Sequence, residues 1–254
     1  MKEFALHKMR TIKELEEQDN MLMIETLKER TRSFNKPVFK TDGVNIISEV
    51  KQASPSRGEI KSVDVLEQAE IYSGNGAAAI SVLTDKIFFN GSYDYLKKIG
   101  VKIEKPLLCK EFVFFKHQVE LAYLCGADMV LMINRILNEN ELHFVYDYIV
   151  NKGMTPIVEI HASDEIERVL ELKPEYVMVN MRNLETLEMD FDAGIKTLKE
   201  LPETVKKISA SGIQSAGKIK SLKEQTGVNI FLVGTSIMES DNPGNYLREL
   251  ANVY

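Results

Sequence analysis

From residue 44 onward the chain alternates short apolar runs with longer segments in which apolar positions recur every three or four residues. Runs of strand length occupy 44–50, 77–83, 106–110, 128–134, 154–161, 175–180, 205–211 and 228–234. Between them, 63–73, 116–125, 139–151, 163–172 and 216–226 carry the helical period. The strand runs are near-continuous in Val, Ile and Leu instead of alternating with polar residues, as expected of strands covered on both faces. Strand, helix and strand in succession impose parallel pairing through right-handed crossovers. Eight such units in about 210 residues predict a closed (β/α)8 TIM barrel, an α/β fold. Gly76-Ala77-Ala78, Gly126-Ala127-Asp128 and Gly227-Val228-Asn229 faintly repeat one unit before strands two, four and eight. An open doubly wound sheet is the alternative, but its first turn would be glycine-rich, and here that turn is Gln52 to Arg57.

Residues 1–36 are rich in Leu, Met, Ile, Glu, Lys and Arg at helical spacing, and no strand precedes them. This segment reads as helical, ended by Asn35-Lys36-Pro37. The organisation expected is one barrel domain over 1–254, with a helical extension at 1–40 and the barrel at 44–254.

Composition narrows the function. A chain of 254 residues that is 44% hydrophobic can bury a large core. Its formal charge of -6 and lack of a clustered basic run argue against nucleic acid as a partner. The first 20 residues hold no signal-peptide core, and no stretch approaches the roughly 20 apolar residues of a membrane span, so a cytoplasmic protein without a membrane partner is expected. Cys109 and Cys125 have no zinc or disulfide spacing and read as reduced packing residues; with only four scattered histidines, no metal is expected.

Candidate chemistry gathers at strand ends. Glu49 and Lys51 project from the same side of the first strand as Ile47, about 6 to 7 Å apart. On an edge strand such a pair would be a solvated ion pair of little consequence. Here Ile46, Ile47 and Val50 mark burial on both faces, and the strand breaks at once into the turn Ser54-Pro55-Ser56. A barrel carries its site at the C-terminal ends of its strands. Lys110 ends the third strand, Glu159 the fifth, and Asn180 with Arg182 the sixth. The seventh and eighth end in Ser211-Gly212 and Gly234-Thr235-Ser236, small residues whose backbone N–H groups and hydroxyls suit a phosphate. Three rim cations, Lys51, Lys110 and Arg182, against two carboxylates, Glu49 and Glu159, point to an anionic small molecule.

These residues closely resemble one family, indole-3-glycerol-phosphate synthase, the barrel enzyme of tryptophan biosynthesis. The resemblance rests on Glu49-Val50-Lys51-Gln52-Ala53-Ser54-Pro55-Ser56, similar to the family's Glu-x-Lys-x-x-Ser-Pro-Ser signature. It continues in order through Phe89-Asn90-Gly91-Ser92, Lys110-Glu111-Phe112, Val158-Glu159-Ile160, Asn180-Met181-Arg182-Asn183-Leu184-Glu185-Thr186, Ser211-Gly212-Ile213 and Leu232-Val233-Gly234-Thr235-Ser236. It implies closure of 1-(2-carboxyphenylamino)-1-deoxyribulose 5-phosphate to indole-3-glycerol phosphate, with loss of carbon dioxide and water and no cofactor. By that resemblance Lys110 is the acid for ring closure, and Lys51 with Glu159 or Glu49 serves the later proton transfers. Asn180 and Ser54 hold substrate and lysine in place, and Arg182 adds to the positive field. Pro55 and Ser211 contact the substrate, and Phe89, Phe112, Leu131, Ile133 and Leu184 receive its aromatic ring. Gly212, Gly234, Thr235 and Ser236 take the phosphate. A monomer is implied, with other tryptophan-pathway enzymes as its candidates for association.

The seventh strand departs from the family. Where Ala-Glu-Ser-Gly-Ile is typical, this chain reads Ser209-Ala210-Ser211-Gly212-Ile213, so a rim carboxylate is absent. The favoured reading is an auxiliary loss that slows turnover. The rival is a weakened barrel that binds a sugar phosphate. Another phosphate-binding barrel, such as phosphoribosylanthranilate isomerase, would need a Cys and Asp pair, and Cys109 should face the helices because it alternates with Lys110.

Overall fold

The computed structural model describes residues 6–54, 58–60 and 63–253, the side chains of Leu6, His7, Ser54 and Glu59 excepted. Eight parallel strands close into a barrel: β1 Asn45–Val50, β2 Ala79–Leu83, β3 Leu107–Lys110, β4 Met129–Ile133, β5 Thr155–Ile160, β6 Tyr176–Asn180, β7 Lys206–Ala210 and β8 Ile230–Val233. Each lies within a run expected from the sequence, and β1 pairs with both β2 and β8, which completes the ring. Every residue of β1, β2, β4, β6 and β8 is buried, because inward side chains fill the barrel while outward ones meet the helices.

The surrounding helices are α3 Val65–Gly74, α4 Tyr93–Gly100, α5 Lys116–Leu124, α6 Glu139–Asn151, α7 Ile166–Leu170, α8 Phe191–Glu200, α9 Ala216–Thr226, α10 Thr235–Met238 and α11 Pro243–Ala251, with α1 Leu6–Leu15 and α2 Glu17–Leu27 ahead of the barrel. Their starts are written locally: Asp64, Ser92, Asn138, Asp190, Ser215 and Asn242 each accept a hydrogen bond from a first-turn N–H. Gly227, with φ of 72°, ends α9 in a left-handed turn closed to most side chains. None of the described helices is long and apolar enough to cross a membrane.

The N-terminal extension is less helical than its composition predicts. Helix stops at Leu27, where Lys28 turns to φ of 58°, and the chain then runs without helix to Gly43. The reason is tertiary. Arg30 donates to the carbonyls of Tyr123 and Ala127 and to Asp128, Thr31 N–H donates to the Leu124 carbonyl, and Arg32 donates to the Lys105 carbonyl. These bonds fasten the segment beneath the barrel, at the N-terminal ends of the strands, and outweigh helix propensity. Helix α2 packs along α5, and α1 lies at the opposite, upper end: Arg10 pairs with Glu141 at the start of α6 at 2.8 Å.

Candidate active site

The C-terminal ends of the strands surround one pocket, and alternation along each strand decides what enters it. Glu49 and Lys51 follow Ile47 inward from β1, Lys110 ends β3, Glu159 projects from β5 and Asn180 from β6, and all five line the pocket. Phe89, Phe112, Leu131, Ile133, Arg182, Leu184, Ser211, Gly212, Gly234, Thr235 and Ser236 line it too. Pro55 lies outside the described residues, as does the side chain of Ser54. The backbone of Ala53–Ser54 pairs antiparallel with Gly58–Glu59, and the expected turn between them lies outside the described residues.

Two lysine–carboxylate pairs stand across the pocket. Lys51 Nζ lies 3.0 Å from Glu49 Oε1. Burial opposes ionisation of Glu49, but the charges of Lys51 and then Lys110 outweigh it and hold the carboxyl below its ordinary range. The second pair is looser, with Lys110 Nζ 3.8 Å from Glu159 Oε2. Asn180 Nδ2 donates to Glu159 Oε1 at 3.1 Å, and Asn180 Oδ1 accepts from Ser211 Oγ at 2.7 Å and Arg182 N–H at 3.1 Å. The amide of Asn180 is thereby fixed, with its NH2 aimed at the carboxylate. Glu159 Oε2 accepts no hydrogen bond among the described residues. His161, absent from the sequence reading, places Nε2 3.6 Å from Glu159 Oε1, and burial lowers its tendency to protonate.

An apolar slot faces these groups. The Phe112 ring lies 6.1 Å from Phe89 and 6.5 Å from Phe88, and Leu131 and Ile133 close the floor. On the far side Ser236 Oγ donates to the Ile213 carbonyl at 2.8 Å, tying the loops after β7 and β8 together. Ser211 and Gly212 are left-handed, at φ of 72° and 70°. A Cβ at Gly212 would also come within 2.6 Å of Met189 and Phe191, and one at Gly234 within 2.7 Å of Glu49 Oε1. Gly234 therefore lets Glu49 lie against the backbone, a packing role beside any contact with a ligand.

The pocket holds more acid than the rim residues alone suggest. Among the described residues three cations face five carboxylates, because Asp85, Glu111 and Glu239 line the pocket besides Glu49 and Glu159. Glu111 lies just past the end of β3, next to Lys110, and its side chain lines the pocket wall. Cys109 does not line the pocket; it is buried beside Thr84, and burial raises its thiol pKa.

The indole-3-glycerol phosphate synthase family model matches residues 1–250. The indole-3-glycerol phosphate synthase of Aquifex aeolicus (strain VF5) is 42% identical over 214 residues, covering 82% of this chain and 81% of that protein. The protein of the same name in Bacillus thuringiensis (strain Al Hakam) is 41% identical over 224 residues, 87% of each chain. Among solved structures, 3-hexulose-6-phosphate synthase from Salmonella typhimurium superposes with a TM-score of 0.67 at 15% identity, covering 82% of this chain and 97% of that one. KGPDC from Streptococcus mutans gives 0.62 at 15% identity, covering 84% and 100%. At such identities the last two speak for the barrel alone.

Proposed function

The chain belongs to the indole-3-glycerol phosphate synthase family, and from that premise we propose how its pocket converts 1-(2-carboxyphenylamino)-1-deoxyribulose 5-phosphate to indole-3-glycerol phosphate, the carboxy-lyase step of tryptophan biosynthesis. The observation that carries the assignment of roles is the meeting of Lys110, Glu159 and Asn180 beside the aromatic slot. The substrate ring lies against Phe89, Phe112, Leu131, Ile133 and Leu184. The loops bearing Ser211, Gly212, Gly234, Thr235 and Ser236 take the phosphate. The lysines and Arg182 attract its negative groups.

In the first step the ring carbon bearing the carboxylate attacks the ketone carbon. A carbon–carbon bond forms, and Lys110 gives a proton to the ketone oxygen. The bond to the carboxylate then breaks, carbon dioxide leaves, and its electron pair restores the aromatic ring. Finally the new hydroxyl leaves as water with a proton from Lys51, while a base takes the proton released from the ring system. Glu159 is assigned as the base, since Glu49 is engaged at 3.0 Å by Lys51 whereas Glu159 Oε2, with Lys110 at 3.8 Å, accepts no hydrogen bond among the described residues. Asn180 holds Glu159 in orientation. We further place the protein in the cytoplasm as a monomer that can associate with other enzymes of the pathway; its two free buried thiols suit a reducing compartment.

The test is incubation with the substrate, followed by indole fluorescence. Turnover to the indole product is expected. A rise in melting temperature with substrate but no indole would favour the binding barrel that the missing carboxylate at Ala210 brings to mind.

A further inference from the structure

Lys13 is fully buried, although it sits on a helix that precedes the barrel and shows no motif of its own. Its Nζ lies 2.7 Å from Asp85, 2.9 Å from Glu111 and 3.1 Å from Glu16. Asp85 follows β2 and Glu111 follows β3, directly after Lys110, and both line the active-site pocket. The same carboxylates hold the aromatic slot: Asp85 accepts from Phe88 N–H at 2.7 Å, and Glu111 from Phe112 N–H at 2.8 Å and Thr84 Oγ at 2.9 Å.

We propose that Lys13 is a positioning residue of the active site, reaching from α1 to neutralise two wall carboxylates so that an anionic substrate is not repelled. The proposal rests on the synthase reading above and names a residue that acts on the reaction through Asp85 and Glu111. An unpaired buried charge is costly, and one cation between two carboxylates satisfies both at once. Burial pushes the Glu111 carboxyl up to about 7 against the pull of Lys13, and Asp85 adds to the push. The ammonium itself stays charged: burial works against it, but Glu111 and Asp85 raise its pKa above the ordinary lysine value. A lysine serving only to dock α1 could sit over any acidic surface; this one occupies the back of the pocket wall, where its charge is felt from inside.

The experiment is a double-substitution cycle of Lys13→Met and Asp85→Asn in the full chain, read by substrate titration with indole fluorescence. Lys13→Met should raise KM by about tenfold or more, with kcat changed much less, because the lost charge acts on substrate binding. Adding Asp85→Asn to Lys13→Met removes the carboxylate left without its 2.7 Å partner and should recover most of that loss. A docking role alone would lower the melting temperature of Lys13→Met, leave the KM of the folded protein at the parent value, and overturn the proposal. Should Lys13→Met fail to fold, the double variant decides by itself: KM near the parent supports the proposal, and a rise of tenfold or failure to fold overturns it. Turnover by the parent tests the synthase reading separately, so the two statements fail in different measurements.

Discussion

Asp128 and Glu159 are both carboxylates with 1% of the side chain exposed, at opposite ends of one barrel, and they are treated in opposite ways. Asp128, at the N-terminal end of β4, is closed on every side. Arg30 lies at 2.8 Å, Asn35 N–H at 2.9 Å, Leu107 N–H at 3.0 Å and Arg32 at 3.6 Å. Glu159, near the C-terminal end of β5, has one good hydrogen bond, a lysine at 3.8 Å, and one oxygen with no donor among the described residues. A buried carboxylate left open costs stability. The chain keeps that cost at one end only, where a ligand can complete the shell, and a saturated cluster at the other end fastens the N-terminal segment.

The comparison breaks first at the upper end. Lys110→Met should leave the barrel folded and reduce turnover by about two orders of magnitude or more, the usual scale for a lost general acid. Glu159→Gln should cost about as much in turnover while leaving stability unchanged or raised, since it removes an incompletely satisfied charge. Indole fluorescence and urea unfolding on the same samples measure both quantities. Turnover within a few-fold of the parent in either variant would remove that residue from the chemistry.

The lower end should answer in reverse. Asp128→Ala leaves Arg30 buried without its carboxylate and frees two backbone N–H groups, so a loss of about 3 kcal/mol in unfolding free energy is expected. The kcat/KM of the protein that remains folded should match the parent. Equal stability with impaired catalysis would mean that the floor of the barrel communicates with the site.

A smaller effect sharpens the phosphate position. Gly234 is a poor place to add charge, because any Cβ there meets Glu49. Thr235, half-buried at the start of α10 and facing the pocket, is cleaner. Thr235→Asp should raise KM about tenfold through repulsion of the phosphate and change kcat little. An unchanged KM would move the phosphate elsewhere in the pocket.

What could be read from the sequence follows from which forces are local. The eight strands were legible because burial on both faces writes a continuous apolar run. Residues 28–36 were misread as helix since their composition is helical and only contacts with Asp128 and the carbonyls near it, far along the chain, pull them out. The pocket lining was legible wherever a polar residue closed an apolar strand, as at Glu49, Lys110 and Glu159. It was illegible where the partners come from different elements. Lys13 is indistinguishable in sequence from an exposed helix lysine, and Asp85 from a loop acid, until α1 is folded over the ends of β2 and β3. Glu111 stands inside the Lys110-Glu111-Phe112 motif, but nothing in the sequence marks it as a pocket residue that pairs with Lys13.

The smallest expected effect concerns the departure at β7. Ala210 is buried, lines the pocket, and pairs between Asn180 of β6 and Leu232 of β8, so a longer side chain there enters the pocket. A glutamate at this position could accept from Lys51 or Lys110 and orient it, or assist in removing a proton, as the family pattern implies. It would also add a carboxylate to a pocket whose described residues already set five against three cations. Ala210→Glu should therefore raise kcat by about a few-fold through better placement of a lysine, raise KM by repelling the substrate, and lower stability slightly because another charge enters a partly desolvated wall. Comparing kcat and KM of the two proteins across pH 6 to 9 separates these terms, since gain in orientation appears in kcat and repulsion in KM. A lower kcat at every pH, with folding intact, would show that the Asn180–Ser211 bond and the open Glu159 already form the working arrangement and that a carboxylate beside them only disturbs it.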